Sequence, residues 1–232
     1  MTTRESAGER QAAPSAGEKE TARIEAFSDG VFAIAITLLV LDLKVPKPAE
    51  LAGGAAGPFG THGLSAALLA QWPTFLAYLT SFLTILVMWV NHHFLFRLIR
   101  RTDHLFLYLN GLLLLFVTFV PFPTALVAAY LHHPQASVAA AVYSATFVAI
   151  AVTFSVLWRY ASTNHRLLDH AASSAAIREI DRSYRFGPPL YLVALALAFV
   201  DLKASLATCL GLAVFFSITG SRSTRSARPT VP

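Results

Sequence analysis

Six long apolar runs, separated by short polar or irregular segments, dominate the pattern of this chain. They cover residues 24–43, 72–96, 104–131, 136–160, 186–201 and 203–220. An α-helix needs roughly 20 mostly apolar residues to cross a hydrocarbon core about 30 Å thick, and tilting accommodates longer runs. The pattern therefore predicts an all-α integral membrane bundle of six spanning helices.

Polar segments at the two ends define the predicted domain organisation. Residues 1–22 are polar and lack the apolar run of a secretory signal, so we expect a disordered cytoplasmic tail. Residues 23–220 form the predicted transmembrane domain, and residues 221–232 form a flexible basic cytoplasmic tail. The chain is 55% hydrophobic and only 13% charged, with a mean hydropathy of +0.56, which excludes an ordinary soluble domain.

The basic residues set the predicted orientation. With the N-terminal tail inside, 15 of the 18 Lys and Arg residues fall on the cytoplasmic side, and only Lys44, Lys47 and Lys203 lie outside. This bias is the positive-inside pattern of a protein with an even number of spans and both termini in the cytoplasm. Because the cations lie at segment ends and not in one patch, the net charge of +5 does not indicate a nucleic-acid partner.

The connections between the runs differ in composition. Residues 45–71 are rich in proline and glycine and predict an irregular external loop. Residues 162–184 are charged and Ala-rich and predict a short cytoplasmic or interfacial helix. The last two runs are close enough to form a tight hairpin around Asp201 and Lys203.

The first run carries an apolar stripe. At about 100° per residue, one face of this predicted helix is wholly apolar. Its members are Phe27, Gly30, Ile34, Leu38 and Leu41, and Thr37 lies beside them. The stripe alone is compatible with contact to lipid, to another helix or to a pore. The opposite face carries the carboxylate of Asp29.

Asp29 needs a partner, because an ionised carboxylate inside a span costs a few kcal/mol. Arg23, on the same helix, is one candidate. The second and third runs supply further polar side chains at matching depth, namely Trp89, Asn91, His92, His93 and Asn110. Two interpretations stay open: a structural network that joins three helices, which we favour, and a proton relay or ion site.

Other chemistry finds little support in the sequence. The pairs His92-His93 and His132-His133 are neighbours that point to different helix faces, whereas a chelating pair needs a spacing of three or four. The lone Cys209 lies in an apolar run and is predicted to be core packing. No Gly-x-Ser-x-Gly element or suggestive Ser/His/Asp set occurs. We therefore expect no enzyme, no cofactor and no resident metal.

The first span also carries a family resemblance. The stretch Arg23-x-x-x-Phe27-Ser28-Asp29, followed by Gly-Val-Phe-Ala-Ile-Ala-Ile-Thr-Leu-Leu-Val-Leu-Asp, closely resembles the first helix of the transmembrane protein 175 family of potassium channels. The resemblance continues through Trp89-Val-Asn-His-His, Asn110-Gly-Leu-Leu-Leu-Leu and Pro121-Phe-Pro-Thr. It covers the first half of the chain, and the second half is similar mainly in hydropathy. A single six-helix unit is similar to the bacterial members, which assemble as homotetramers.

This resemblance implies a central pore lined by the first helix of each subunit. By analogy with the family, Ile34 forms the tightest ring, Leu38 and Leu41 form further rings, and Thr37 lies nearby. Arg23, Phe27, Ser28 and Asp29 would belong to a network that holds this helix against the second and third helices of the same subunit.

The expected function is a leak-type, potassium-preferring channel in the plasma membrane, with the bilayer, permeant potassium and three further copies of the chain as its partners. A ring of isoleucines gates by excluding water, and its selectivity is modest because it offers no dipoles to replace ion hydration. The alternatives are a proton- or ion-coupled secondary transporter that uses Asp29 and a nearby His, and a non-conducting membrane scaffold.

Overall fold

The computed structural model describes residues 16–47, 63–169 and 174–226, and this part of the chain is built from α-helices. They are α1 (Ala16–Leu38), α2 (Leu64–Ala70), α3 (Trp72–Phe96), α4 (His104–Phe119), α5 (Pro121–Tyr130), α6 (Ala136–Ser162), α7 (Ser174–Leu197) and α8 (Leu202–Ser226). Short 3₁₀ segments follow α1 (Leu39–Asp42) and α6 (Thr163–His165). The predicted all-α class is therefore confirmed.

Four helical stretches are long and apolar enough to cross a membrane. They are Gly17–Asp42, Trp72–Phe96, His104–Tyr130 and Ala136–His165, and a shorter apolar helix covers Leu202–Ser217. The stretch His104–Tyr130 contains a break between α4 and α5, where Pro121 occupies the first turn of the second helix and lacks a backbone N–H. α7 begins with charged residues and contains Pro188 and Pro189, so its composition alone does not mark it as a span.

Two predicted boundaries differ from the structure at the chain ends. α1 begins at Ala16, so residues 16–22 of the predicted tail are helical, while residues 1–15 lie outside the described part. The first turn of this helix carries Glu18, which a helix N-terminus favours. At the other end, α8 continues through Ser226, beyond the predicted start of the basic tail, and residues 227–232 lie outside the description.

The predicted connections were partly wrong. Within residues 45–71, the segment Leu64–Ala70 is helical, and residues 48–62 lie outside the described part. Within residues 162–184, the helix that begins at Ser174 continues into the fifth apolar run as one element, α7. The predicted hairpin is confirmed: Asp201 Oδ1 accepts hydrogen bonds from the backbone N–H groups of Lys203 (2.8 Å) and Ala204 (3.3 Å) and caps α8.

The packing places α1 at one side of the bundle. α6 packs against α4, α5, α7 and α8, whereas α1 packs against α3 and α4. Buried polar side chains join neighbouring helices, as in the hydrogen bonds Ser81 Oγ to Thr124 Oγ1 (2.7 Å) and Ser205 Oγ to Ala194 O (2.8 Å). Such contacts satisfy polar groups where no water is available. α1 therefore keeps one face that no other described helix covers.

An ionic cluster, the Arg100 clasp, ties the start of α1 to two loops. The Arg100 guanidinium lies 3.1 Å from Glu18 and 3.8 Å from Asp169. The backbone of the α3–α4 loop pairs with the segment before α7, through Arg100 N to Leu167 O at 2.9 Å and an isolated bridge between Ile99 and Leu168. Three chain segments are thus fixed at one end of the bundle.

Asp103 also links separate chain segments, beside this clasp. Its carboxylate caps α4 by accepting the Phe106 N–H at 2.9 Å, and it accepts the Tyr160 hydroxyl at 2.6 Å. The Arg166 guanidinium lies 3.3 Å away. Desolvation by burial raises the pKa of Asp103, but the two hydrogen bonds and the Arg166 charge outweigh it, so the pKa lies below the ordinary value of 3.8.

Replacing Asp103 by Asn is expected to lower the melting temperature in detergent by about 2–4 °C near neutral pH, because a partly exposed, charge-assisted site is worth about 1 kcal/mol. A carboxylate with a depressed folded-state pKa stabilises the protein above its unfolded pKa and loses that effect as pH falls through the folded pKa. The difference between wild type and variant should therefore vanish in acid. The control Asp181→Asn affects only an exposed pair with Arg185 (3.1 Å) and should change little. Equal losses in both variants would contradict the assignment.

Candidate functional site

The apolar stripe of α1 faces away from the other helices of the chain. The exposed fractions of its side chains are 66% for Phe27, 58% for Ile34, 40% for Leu38 and 72% for Leu41. The opposite face is fully packed, with Ser28, Phe32, Ala35 and Leu39 at 1% exposure or less. The helix therefore has one buried and one exposed side, and the exposed side is as apolar as the buried one.

The backbone at the C-terminal end of α1 determines where the last residues of the stripe point. The Thr37 hydroxyl donates to the carbonyl of Ile34 at 2.9 Å, so its proton is satisfied on its own helix. Leu39–Asp42 form a 3₁₀ turn, in which side chains three residues apart eclipse each other. The three-residue spacing of Leu38 and Leu41 matches this pitch, which keeps the two side chains on one side of the helix.

A directional hydrogen-bond chain holds the buried face of α1 against α3 and α4. Asn110 Nδ2 donates to Ser28 Oγ at 3.0 Å, and Ser28 Oγ donates to the carbonyl of Ile24 at 2.9 Å. Asn110 Oδ1 is then left to face His92 Nε2 at 2.9 Å, which assigns the proton of this imidazole to Nε2. His92 and Ser28 are fully buried. Each bond in this His92–Asn110–Ser28 chain has one possible direction.

Asp29 is held by Trp89. The indole Nε1–H donates to Asp29 Oδ1 at 2.8 Å. Among the hydrogen bonds and ion pairs of the described residues, none joins Asp29 to Arg23, to His92 or to His93. Trp89 is thus the partner of Asp29. The sequence predicted Trp89 only as one of several possible donors.

Glu25 forms a second contact that sequence reasoning missed. His93 Nδ1 lies 2.8 Å from Glu25 Oε1. Glu25 precedes Asp29 by four residues on α1, and Trp89 precedes His93 by four on α3. Residues four apart lie on one helix face, so the two contacts are rungs one turn apart. That matched spacing is the sequence signal for the contact, but an acidic residue at the polar start of a span is also explained by exposure to water.

Three predicted members lie outside the network. Asn91 lines a separate cavity with Phe147, Tyr184 and Phe216, because two residues along α3 turn it about 200° away from Trp89. Phe27 belongs to the exposed stripe, and the Arg23 side chain is exposed. The structure therefore joins Ser28, His92 and Asn110 in one chain and Asp29, Trp89 and His93 in the adjacent rungs.

The remaining singled-out residues have ordinary contacts. His132 meets Trp72 edge to face, with ring centroids 6.1 Å apart. His133 Nδ1 accepts the backbone N–H of Gln135 at 3.2 Å and closes the turn before α6. Cys209 is buried 3.7 Å from Ser144 Oγ. Within the described ranges, no group of three or more His, Cys, Asp or Glu side chains is arranged to hold a metal ion.

These helices and the unpaired apolar face of α1 define an all-helical, multi-pass membrane protein. A family model described as "Endosomal/lysosomal potassium channel TMEM175" matches residues 23–121. A potassium channel from Chamaesiphon minutus is 56% identical over 201 residues, covering 87% of this chain and 95% of that protein. A potassium channel from Streptomyces collinus is 46% identical over 198 residues, covering 85% of this chain and 91% of that protein.

Solved structures agree with these relatives. The crystal structure of a lysosomal potassium-selective channel TMEM175 homolog from Chamaesiphon minutus matches with a TM-score of 0.76 and 54% identity, over 87% of this chain and 98% of that one. The chain belongs to the TMEM175 family, which confirms the resemblance of the first span. The family is described as potassium channels and not as enzymes, in agreement with the sequence-based prediction.

Replacing Asn110 by Leu should destabilise the protein by about 1–3 kcal/mol, because it leaves the buried His92 Nε2–H without an acceptor and removes the hydrogen bond that Ser28 Oγ accepts. Thermal unfolding in detergent, followed by size-exclusion chromatography, measures the loss. Asn91→Leu is the matched control, since it makes the same change outside the hydrogen-bond chain. Similar losses of stability in the two variants would show that the hydrogen bonds of Asn110 do not stabilise the protein.

Proposed function

We propose that this protein is a potassium-preferring, leak-type cation channel that assembles as a homotetramer around a pore lined by α1. The single observation that carries the proposal is the exposed apolar face of α1, in a chain 56% identical to a protein named as a potassium channel. A face this apolar needs a partner other than bulk water. Copies of the same helix around an axis provide one.

The polar contacts on the opposite side of α1 explain why its apolar face points away from the other helices of the subunit. Ser28 and Asp29 bind partners on α3 and α4, which fixes the rotation of α1 about its own axis. Ile34, Leu38 and Leu41 then point away from the subunit together. In the proposed tetramer Ile34 forms the tightest ring, Leu38 and Leu41 form wider ones, and Thr37 contributes its hydroxyl oxygen beside them.

The proposed constriction works by excluding water. A narrow apolar ring disfavours the water that an ion must keep around itself, so the barrier depends on ring diameter and wetting. Because isoleucine side chains offer no carbonyl dipoles in place of hydration, we expect a preference for potassium over sodium and not near-exclusion. No cofactor takes part in this mechanism.

The proposed topology has six spans with both termini in the cytoplasm of a plasma membrane. Residues 23–220 form the channel domain, and the second half of α7 together with α8 supplies the last two spans. The Arg100 clasp lies at the end that collects most of the basic residues, and Lys203 lies at the opposite end. The positive-inside rule assigns the clasp end to the cytoplasm.

Potassium flux into liposomes that contain the purified protein tests the function, with sodium as the comparison ion. Ile34→Asn should wet the ring and raise the leak by about tenfold, equivalent to about 1.4 kcal/mol of barrier, while the potassium preference falls. Leu115→Asn is the matched control, since Leu115 is an exposed leucine of α4. An unchanged current in Ile34→Asn would place Ile34 elsewhere, and wild-type liposomes without flux would indicate a scaffold.

Asp29 distinguishes the channel from the proton-coupled transporter. Asp29→Ala should lower the yield of stable assembly, because it leaves the Trp89 indole N–H unpaired inside a span at a cost of about 1–3 kcal/mol. Asp29→Asn keeps an acceptor oxygen and should restore assembly and discrete unitary currents. Normal assembly of both variants, combined with saturable flux that loses its proton dependence, would support the transporter instead.

A further inference from the structure

An apolar groove of about 490 Å³ opens between α3, α5, α6 and α8 at the end of the bundle opposite to the Arg100 clasp. Leu76, Leu131, Leu206 and Leu210 form much of its wall. Its volume lies within the range of ligand pockets, about 300–1,000 Å³. The groove is separate from the α1 stripe, because no residue of α1 lines it.

The depth of the groove matches one leaflet of a bilayer. Its lining residues run from Trp72 to Thr80 on α3 and from Leu202 to Leu210 on α8. Eight residues at a rise of 1.5 Å each cover about 12 Å, and half of a hydrocarbon core measures about 15 Å. On the topology proposed above, on which this inference rests, the groove crosses the hydrocarbon of the outer leaflet.

The mouth of the groove is polar and cationic. The Trp72 and His132 rings meet edge to face there, and tryptophan is enriched at the level of lipid headgroups. The exposed Lys203 lines the mouth and takes part in none of the ion pairs of the described residues. The neighbouring Asp201 is engaged in capping α8. Lys203 is one of only three basic residues predicted on this side of the membrane.

We propose that this groove binds a phospholipid, with one acyl chain along the leucine wall and an anionic headgroup phosphate at Lys203. An apolar groove offers ordered water too few hydrogen-bond partners, whereas a hydrocarbon chain fills it without an unpaired polar group. The ammonium of Lys203 adds a preference for headgroups with net negative charge. A lipid held here would join α8 to α3 and α5 in the outer leaflet.

Native mass spectrometry of the purified assembly tests the proposal, with phosphatidylglycerol and phosphatidylcholine of equal chain length as probes. Wild type should bind phosphatidylglycerol more tightly. Lys203→Gln should reduce the ratio of the two affinities by about fivefold, the effect of one cation near the headgroups. Leu206→Trp should reduce binding of both lipids, because the indole occupies the groove. Lys44→Gln and Val214→Trp are the matched controls, since neither residue lines the groove.

Wild-type binding of both lipids in Leu206→Trp would overturn the proposal, and an unchanged affinity ratio in Lys203→Gln would overturn the headgroup assignment. Loss of the oligomer in Leu206→Trp would identify a second copy of the chain as the occupant. Higher lipid binding after replacement of residues 48–62 by a Gly/Ser linker of equal length would identify that segment instead. Potassium flux, measured in parallel, tests the proposed function separately, because lipid binding in detergent does not require conduction.

Discussion

The hydrogen-bond chain from His92 through Asn110 to Ser28 is the constraint on which the rest of this structure depends. It crosses three helices at a depth where water does not replace a lost partner, so each bond is costly to break. Because Asn110 must present its amide to Ser28 and its oxygen to His92, α1 has one permitted rotation about its axis. The direction of the apolar stripe is therefore set by polar contacts on the opposite face.

The anchoring of α1 differs along its length. From Glu18 to Asp29 the helix is held by polar contacts, which include the Arg100 clasp and the two rungs to α3. Beyond Asp29 the buried face consists of Phe32, Ala35 and Leu39, which pack without polar partners. Specific contacts fix the orientation of the first half, and apolar burial continues that orientation through the half that bears Ile34.

The sequence predicted those features that follow from periodicity and from strong motifs. The stripe of α1, the all-helical class and the hairpin at Asp201 are of this kind. Asn91 was assigned to the network by depth alone, and depth does not specify the side of a helix on which a residue lies. Glu25 was overlooked because an acidic residue at the start of a span has an ordinary explanation. The groove at Lys203 combines residues from four helices, and no local sequence pattern predicts such a combination.

The 3₁₀ turn at Leu39–Asp42 makes the side-chain directions at the C-terminal end of α1 depend on how tightly the backbone is wound there. A 3₁₀ helix has 3.0 residues per turn and an α-helix 3.6, so three residues differ by about 60° of rotation between the two forms. Rewinding this single turn as α-helix would swing Leu41 sideways by about that angle and leave Ile34 where it is. Leu41 is thus the member of the stripe whose direction is controlled by local backbone pitch, independently of the anchors that hold the remainder of the helix.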